Sequence, residues 1–166
     1  MLIRAATADD ADALTSLYND LGVATTASYD LLPVSVADRL AWLDDHNARG
    51  WPVLVAEDAG LVVGYAAYGA YRPKAGYDST VTHTVYVAST RQGEHIGTAL
   101  MNALIDIARS HQLHAMIGII DAENVASVHF HESLGFQIAG TLPQVGRKFG
   151  RWLDTKLMVL LLDGQH

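Results

Sequence analysis

The sequence of 166 residues contains no cysteine. Disulfide cross-links, thiolate metal sites and cysteine nucleophiles are therefore excluded, and a reducing compartment is allowed. Charge is sparse and leans one way. Only 17% of residues are charged, and 18 acidic residues outnumber 11 basic ones to give a net charge of -7. A surface of that sign has no general attraction for phosphate backbones or anionic membranes, so no nucleic-acid or membrane partner is expected. Long apolar runs are missing as well. The greasiest segment, Leu157 to Leu162, spans six residues, against about 18 for a membrane span. The opening MLIRAATADDADAL turns acidic at once and lacks the basic-then-apolar layout of a signal peptide, so a cytoplasmic protein is expected. His111 and His114 stand three apart without an HExxH pattern, and no metal site is expected.

Hydrophobic residues, in contrast, make up 50% of the chain, enough for one sizeable core in a single domain over residues 1–166. A short apolar strand begins at Ile3. Thr7-Ala8-Asp9-Asp10 then starts a helix carrying Ala11, Leu14, Leu17, Tyr18 and Leu21 at helical spacing. A second start at Ser35-Val36-Ala37-Asp38 leads into a helix ending near Gly50. Pro52 to Glu57 and Leu61 to Tyr71 read as strands joined at Asp58-Ala59-Gly60, and the β-branched Thr80 to Val87 as a third. A helix with Ile96, Leu100, Met101, Leu104 and Ala108 on one face follows. Leu113 to Ile120 is a strand, Asn124 to Leu134 a short helix, and Phe136 to Leu142 and Trp152 to Leu162 are the last strands. The order β-α-α-β-β-β-α-β-α-β-β predicts an α/β domain with a mixed sheet.

Chemistry concentrates between Thr84 and Phe136. The third strand delivers the chain into Arg91-Gln92-Gly93-Glu94-His95-Ile96-Gly97-Thr98, where a helix opens. Backbone N–H groups at a helix start are unpaired and carry the positive end of the helix dipole. Glycines there let an anion come close, so the loop reads as a pyrophosphate cradle or, more plainly, as a strand-to-helix turn. It is neither a Walker loop nor a dinucleotide fingerprint, because the glycine and lysine spacings are wrong. Further on, Asn124, Ser127 and His131 lie at i, i+3 and i+7 and share one helix face, opposite Val125 and Phe130.

These blocks resemble those of the GNAT acetyltransferases, which move acetyl from acetyl-CoA to an amine. The positions that carry the resemblance are Gln92, His95, Gly97, Asn124, Gly135 and Phe136. The likeness is closer still to the phosphinothricin and methionine sulfoximine/sulfone acetyltransferase subgroup. Its blocks correspond to Trp51-Pro52-Val53-Leu54-Val55, Tyr71-Arg72-Pro73, Val85-Tyr86-Val87, Ser127 to Phe136 with His131, and Gln144 to Asp154. The resemblance implies a GNAT fold, with a mixed, mostly antiparallel sheet splayed at the cofactor site and flanked by helices. It implies that the backbone of Val85, Tyr86 and Val87 pairs with the pantetheine arm, that Gln92, Gly93, Glu94, His95, Ile96, Gly97 and Thr98 hold the pyrophosphate, and that Asn124 and Ser127 contact the cofactor. An extended amide chain can add to a sheet edge like a strand. His131 stands where many members carry a tyrosine that protonates the departing thiolate, and a histidine suits that task near neutral pH. For the acceptor, the resemblance implies Arg72, Pro73, Lys74, Thr82, His83 and Thr84. It also implies a homodimer, with Gln144 to Asp154 near the partner.

Three positions depart from the subgroup. Thr82 replaces the glutamate proposed to deprotonate the amine, and adjacent His83 points to the other face of the strand. His95 replaces a glycine of the phosphate loop, and Lys74 stands where relatives often carry an aromatic residue. The expected activity is direct, ternary-complex N-acetylation of a small amino-acid-like amine, since an acetyl-cysteine intermediate is impossible. The alternative is a catalytically weak acyl-CoA sensor that has lost its base at Thr82.

Overall fold

The computed structural model describes residues 1–163. Strand β1 (Leu2–Ala5) leads through a tight turn at Ala8–Asp10 into α1 (Ala11–Tyr18), which runs on into a single wide π turn, Asn19–Val23. Thr7 N–H donates to the Asp10 carboxylate at 2.8 Å, and Arg4 grips the same carboxylate at 2.8 and 2.9 Å. That arrangement fixes where the chain enters α1. Helix α2 (Val36–Arg49) has a reciprocal cap: Ser35 Oγ accepts from Asp38 N–H at 3.1 Å while Asp38 accepts from Ser35 N–H at 2.8 Å. It stops at Gly50 in a left-handed conformation.

The remaining elements are β2 (Val53–Asp58), β3 (Leu61–Ala70), β4 (Thr80–Val87), α3 (Ile96–Ser110), β5 (Ala115–Asp121), α4 (Val125–Ser133), β6 (Gln137–Lys148) and β7 (Arg151–Leu161). Seven strands form a mixed sheet in the order β1-β2-β3-β4-β5-β7-β6, flanked by helices. Strand β4 runs parallel to β5, and β1–β2, β2–β3, β5–β7 and β6–β7 are antiparallel. The β4–β5 ladder is short, covering Thr80–Thr82 against Ala115–Ile117. Element order and sheet type are those expected from the sequence.

Backbone contacts gather into two compact units, one of residues 1–69 with 84–107, the other of 70–83 with residues from 108 onward. The first has a core of Leu14, Leu17, Leu43, Val53, Val55, Tyr65, Ala67 and Tyr86. In the second, Met116, Leu153 and Met158 are fully buried.

The structure corrects the reading of one segment. The strand expected to end at Leu142 runs on through Pro143 and Gly146, and β6 continues to Lys148 and pairs with β7. The breakers are absorbed as a bulge. Register slips between Leu142 and Gly146, Gln144 turns left-handed with φ 53°, and its N–H donates to Asp154 at 2.8 Å. Trp152 therefore sits in strand β7 and Phe149 in the hairpin turn. Both are exposed, as is Val145.

Candidate functional site

Within the second unit the polar face of α4 builds a chain of contacts. Asn124 caps the helix, its Oδ1 accepting from Ser127 N–H at 3.0 Å. One turn later the Ser127 carbonyl lies 2.6 Å from His131 Nδ1. A carbonyl only accepts, so Nδ1 carries the proton. Strand β4 turns His83 toward the same place, and its Nε2 lies 3.1 Å from His131 Nε2, with the two rings stacked at 5.0 Å.

Burial fixes the remaining protons. His83 is 6% exposed and His131 3% exposed. Desolvation, followed by the neighbouring His131, pushes the His83 pKa down to about 3. Desolvation also lowers that of His131, against an opposing contribution from the Ser127 carbonyl. Both rings are neutral near pH 7. His131 Nε2 is then the acceptor, His83 Nε2–H the donor, and His83 Nδ1 a lone pair. That atom is buried and has no hydrogen-bond partner among the described residues. Two residues that composition alone does not single out shape the pair. Phe136 packs edge-on against both rings at 5.3 and 5.2 Å, and Gly118 supplies clearance. A Cβ at Gly118 would stand 3.2 Å from His83 Nε2 and 3.3 Å from the His131 ring.

Thr82 is half-buried beside this pair in sequence but on the alternate side of the strand. Arg72, Pro73 and Lys74 lie in an exposed stretch after β3, where the Arg72 guanidinium rests 5.3 Å from the Tyr71 ring. The Tyr71 side chain raises the Arg72 pKa further above its ordinary value.

In the first unit, β4 continues from Thr84 to Val87. The Tyr86 side chain belongs to the core, tilted against Tyr65 at 5.4 Å and edge-to-face with Tyr18 at 5.9 Å. Only its main chain is left to meet a ligand. The turn before α3 is exposed from Gln92 to His95. Gly93 (φ 84°) and His95 (φ 60°) are both left-handed, so histidine tolerates the strained conformation a glycine would take at less cost. The loop's cation is already engaged. Arg91 holds Glu94 through Nε at 2.8 and 2.9 Å and Asp58 through Nη2 at 2.9 Å, which lowers the pKa of both carboxylates. Any anion at this helix start is therefore met by backbone N–H groups, with Glu94 neutralised beside them.

The fold places a parallel β4–β5 contact, a glycine-bearing turn opening α3 and a capped α4 in one mixed α/β sheet protein. The acetyltransferase (GNAT) domain model matches residues 3–157, and the chain belongs to this family. It is 47% identical over 162 residues to the L-methionine sulfoximine/L-methionine sulfone acetyltransferase of Pseudomonas aeruginosa, covering 97% of this chain and 94% of that protein. Its fold matches the yncA protein of Salmonella typhimurium, solved with its cofactor acetyl-CoA, with TM-score 0.96 and 43% identity over 100% of this chain and 96% of that one. It also matches a phosphinothricin acetyltransferase of Sinorhizobium meliloti in complex with acetyl-CoA, with TM-score 0.92 and 31% identity over 96% and 87% of the two chains.

Among the described residues no helix is long and apolar enough to cross a membrane, and no group of three metal-ligating side chains comes together.

Proposed function

We propose that this acetyltransferase moves acetyl from acetyl-CoA to the amine of a small amino acid of the methionine sulfone, methionine sulfoximine or phosphinothricin type, by direct attack in a ternary complex. The observation that carries this reading is the likeness over nearly the full length to an enzyme named for those acceptors. In this reading the chain is one catalytic domain, works in the cytoplasm where acetyl-CoA is made, and is a homodimer. The exposed Val145, Phe149 and Trp152 of the β6–β7 hairpin support a partner surface there.

The residues fit the cosubstrate. The exposed turn from Gln92 to His95, with left-handed Gly93 and His95, and the first turn of α3 from Ile96 to Thr98 offer main-chain donors to the pyrophosphate. The main chain of Val85 to Val87, beyond the end of the β4–β5 ladder, pairs with the pantetheine amides. Asn124 and Ser127 contact the cofactor arm, and Arg72, backed by Lys74 and Pro73, takes the tetrahedral side-chain group of the acceptor. Transfer converts an ammonium and a thioester into an amide, a thiol and one released proton. Thr82 cannot take that proton. His131 takes part in proton transfer to the departing thiolate, and because both its ring nitrogens are bonded within the protein, the proton moves through His83. An imidazolium at His131 is held by the Ser127 carbonyl.

The test is release of free thiol from acetyl-CoA across a panel of amines. Methionine sulfone, methionine sulfoximine and phosphinothricin should lead the panel. A preference for polyamines or protein N-termini over all three would reject the acceptor, and no release with any amine would favour the sensor.

A further inference from the structure

Arg39 is a buried cation that forms no ion pair among the described residues. It stands in the first turn of α2 and is 5% exposed. Its guanidinium carbon lies 4.3 Å from the Tyr18 ring centroid and 4.6 Å from that of Trp42, and its Nε is buried without a hydrogen-bond partner. The neighbouring carboxylates also accept other hydrogen bonds, and after those from Ser35 the Arg39 charge helps to hold the Asp38 pKa below its ordinary value. Asp38 accepts from the N–H and hydroxyl of Ser35, both at 2.8 Å, and Asp30 accepts from the Tyr18 hydroxyl. Stacking on two aromatic faces returns only about 2 kcal/mol, whereas an unpaired buried charge costs several kcal/mol. A helix N-terminus repels a cation further. The guanidinium therefore keeps donor capacity that the described residues do not use.

The same guanidinium lines a cavity of about 320 Å³ within the first unit. Tyr18, Trp42 and Tyr65 give it aromatic walls, and Thr84 of β4 contributes from the strand that also carries Thr82. The volume is at the low end for small-molecule sites. Asp30 and Asp38 in its lining suit an ammonium, while Arg39 suits an anion. The combination matches a zwitterion. We propose that Arg39 binds the α-carboxylate of the acceptor and so restricts the enzyme to amino acids over simple amines. This rests on the functional reading above, in which the acceptor is a small amino acid.

The test uses the full chain, acetyl-CoA and two acceptors: L-methionine sulfone and 3-(methylsulfonyl)propan-1-amine, which lacks only the carboxylate. Wild type should prefer the amino acid in kcat/KM by roughly tenfold to a hundredfold, the worth of a charged hydrogen bond. Arg39→Gln and Arg39→Lys should raise KM for methionine sulfone by a similar factor, leave KM for acetyl-CoA within about twofold, and leave kcat/KM for the simple amine unchanged. Equal use of the two acceptors by wild type overturns the proposal even if neither variant folds. So does an equal fall with both acceptors in a folded variant. If wild type acetylates neither compound, the functional reading has failed, and tryptophan fluorescence titrated with methionine sulfone then decides. A saturable change lost in Arg39→Gln supports the carboxylate site, and no saturable change overturns it.

Discussion

The turn before α3 and the His83–His131 pair are built on opposite principles. The turn is exposed, exposes its main chain, and neutralises its own side-chain charges through Arg91, Glu94 and Asp58. The pair is buried, works through side chains, and holds one lone pair out of reach of any protein donor. A site made of backbone is specified by the conformations the chain can take, and tolerates changes in side-chain identity such as His95 for glycine. A site made of buried imidazoles is specified by proton positions and by van der Waals clearance, and tolerates little. Substitutions in the two regions should therefore separate binding from turnover.

The largest effect is expected at the pair. Loss of a proton-transfer group costs about 10²–10⁴-fold in rate. His131→Ala should lower kcat by such a factor at saturating substrates while calorimetry finds the affinity for acetyl-CoA nearly unchanged. Equal kcat in mutant and wild type would remove His131 from the chemistry. The mirror-image substitution is Gly97→Val in the first turn of α3, where a branched side chain would stand among the main-chain donors. Affinity for acetyl-CoA should fall by roughly tenfold or more, since an anion at a helix start depends on close approach. Unchanged affinity would move the pyrophosphate elsewhere.

How far the sequence discloses the two regions follows from the same contrast. The β-branched run TVTHTVYV and the apolar stripe of α3 disclose the scaffold of the turn, because period and propensity are local properties. The β6–β7 hairpin is less legible. Pro143 and Gly146 look like a loop, and only the pairing with β7 shows that a bulge accommodates them. His83 is legible as a residue facing away from Thr82, but what it faces is set by α4, some fifty residues later. Gly118 and Arg39 give no local signal at all. A glycine in a strand and an arginine in a helix start acquire meaning only when rings pack beside them.

Gly118→Ala sharpens the comparison without removing a polar atom. Its methyl group would press on both imidazoles at 3.2–3.3 Å. Overpacking of this kind costs about 1–3 kcal/mol, visible as a lower melting temperature, and it should reduce kcat by lengthening the His83–His131 contact. A variant as stable and as active as wild type would show that the pair is not held tightly.

The pair should also leave a mark on stability. His83 and His131 titrate below their ordinary value in the folded chain and near about 6.5 when unfolded. The unfolded chain thus binds more protons between those limits, and stability rises with pH there. It is fully present above about pH 6.5 and is lost as pH falls toward the His83 value of about 3. Melting curves from pH 7 to pH 4.5 should show a shallower decline for His83→Phe than for wild type. The remaining slope reports His131 and His46, which burial also lowers, joined toward pH 4.5 by carboxylates such as Glu94 and Asp58 whose pKa values arginine pairing lowers. Parallel curves would mean that His83 takes up its proton as readily in the folded protein as in the unfolded chain.

The smallest effect is expected at Thr82, and it concerns what replaces a missing carboxylate. An α-amine titrates at about 8 or above, so a fraction is uncharged near neutral pH and reacts without help. The buried pair is a weak base, because desolvation opposes its charging. Turnover in the wild type should accordingly climb with pH through the neutral range as the free amine fills. Glutamate at position 82 would stand on the strand face away from His83 and could take the ammonium proton directly. Thr82→Glu should then raise kcat/KM a few-fold at pH 7 and flatten the profile toward higher pH, with affinity for acetyl-CoA unaltered. A variant that is slower at every pH, or a wild-type profile that is already flat, would show that the proton leaves by another group and that threonine at this position is not what limits the enzyme.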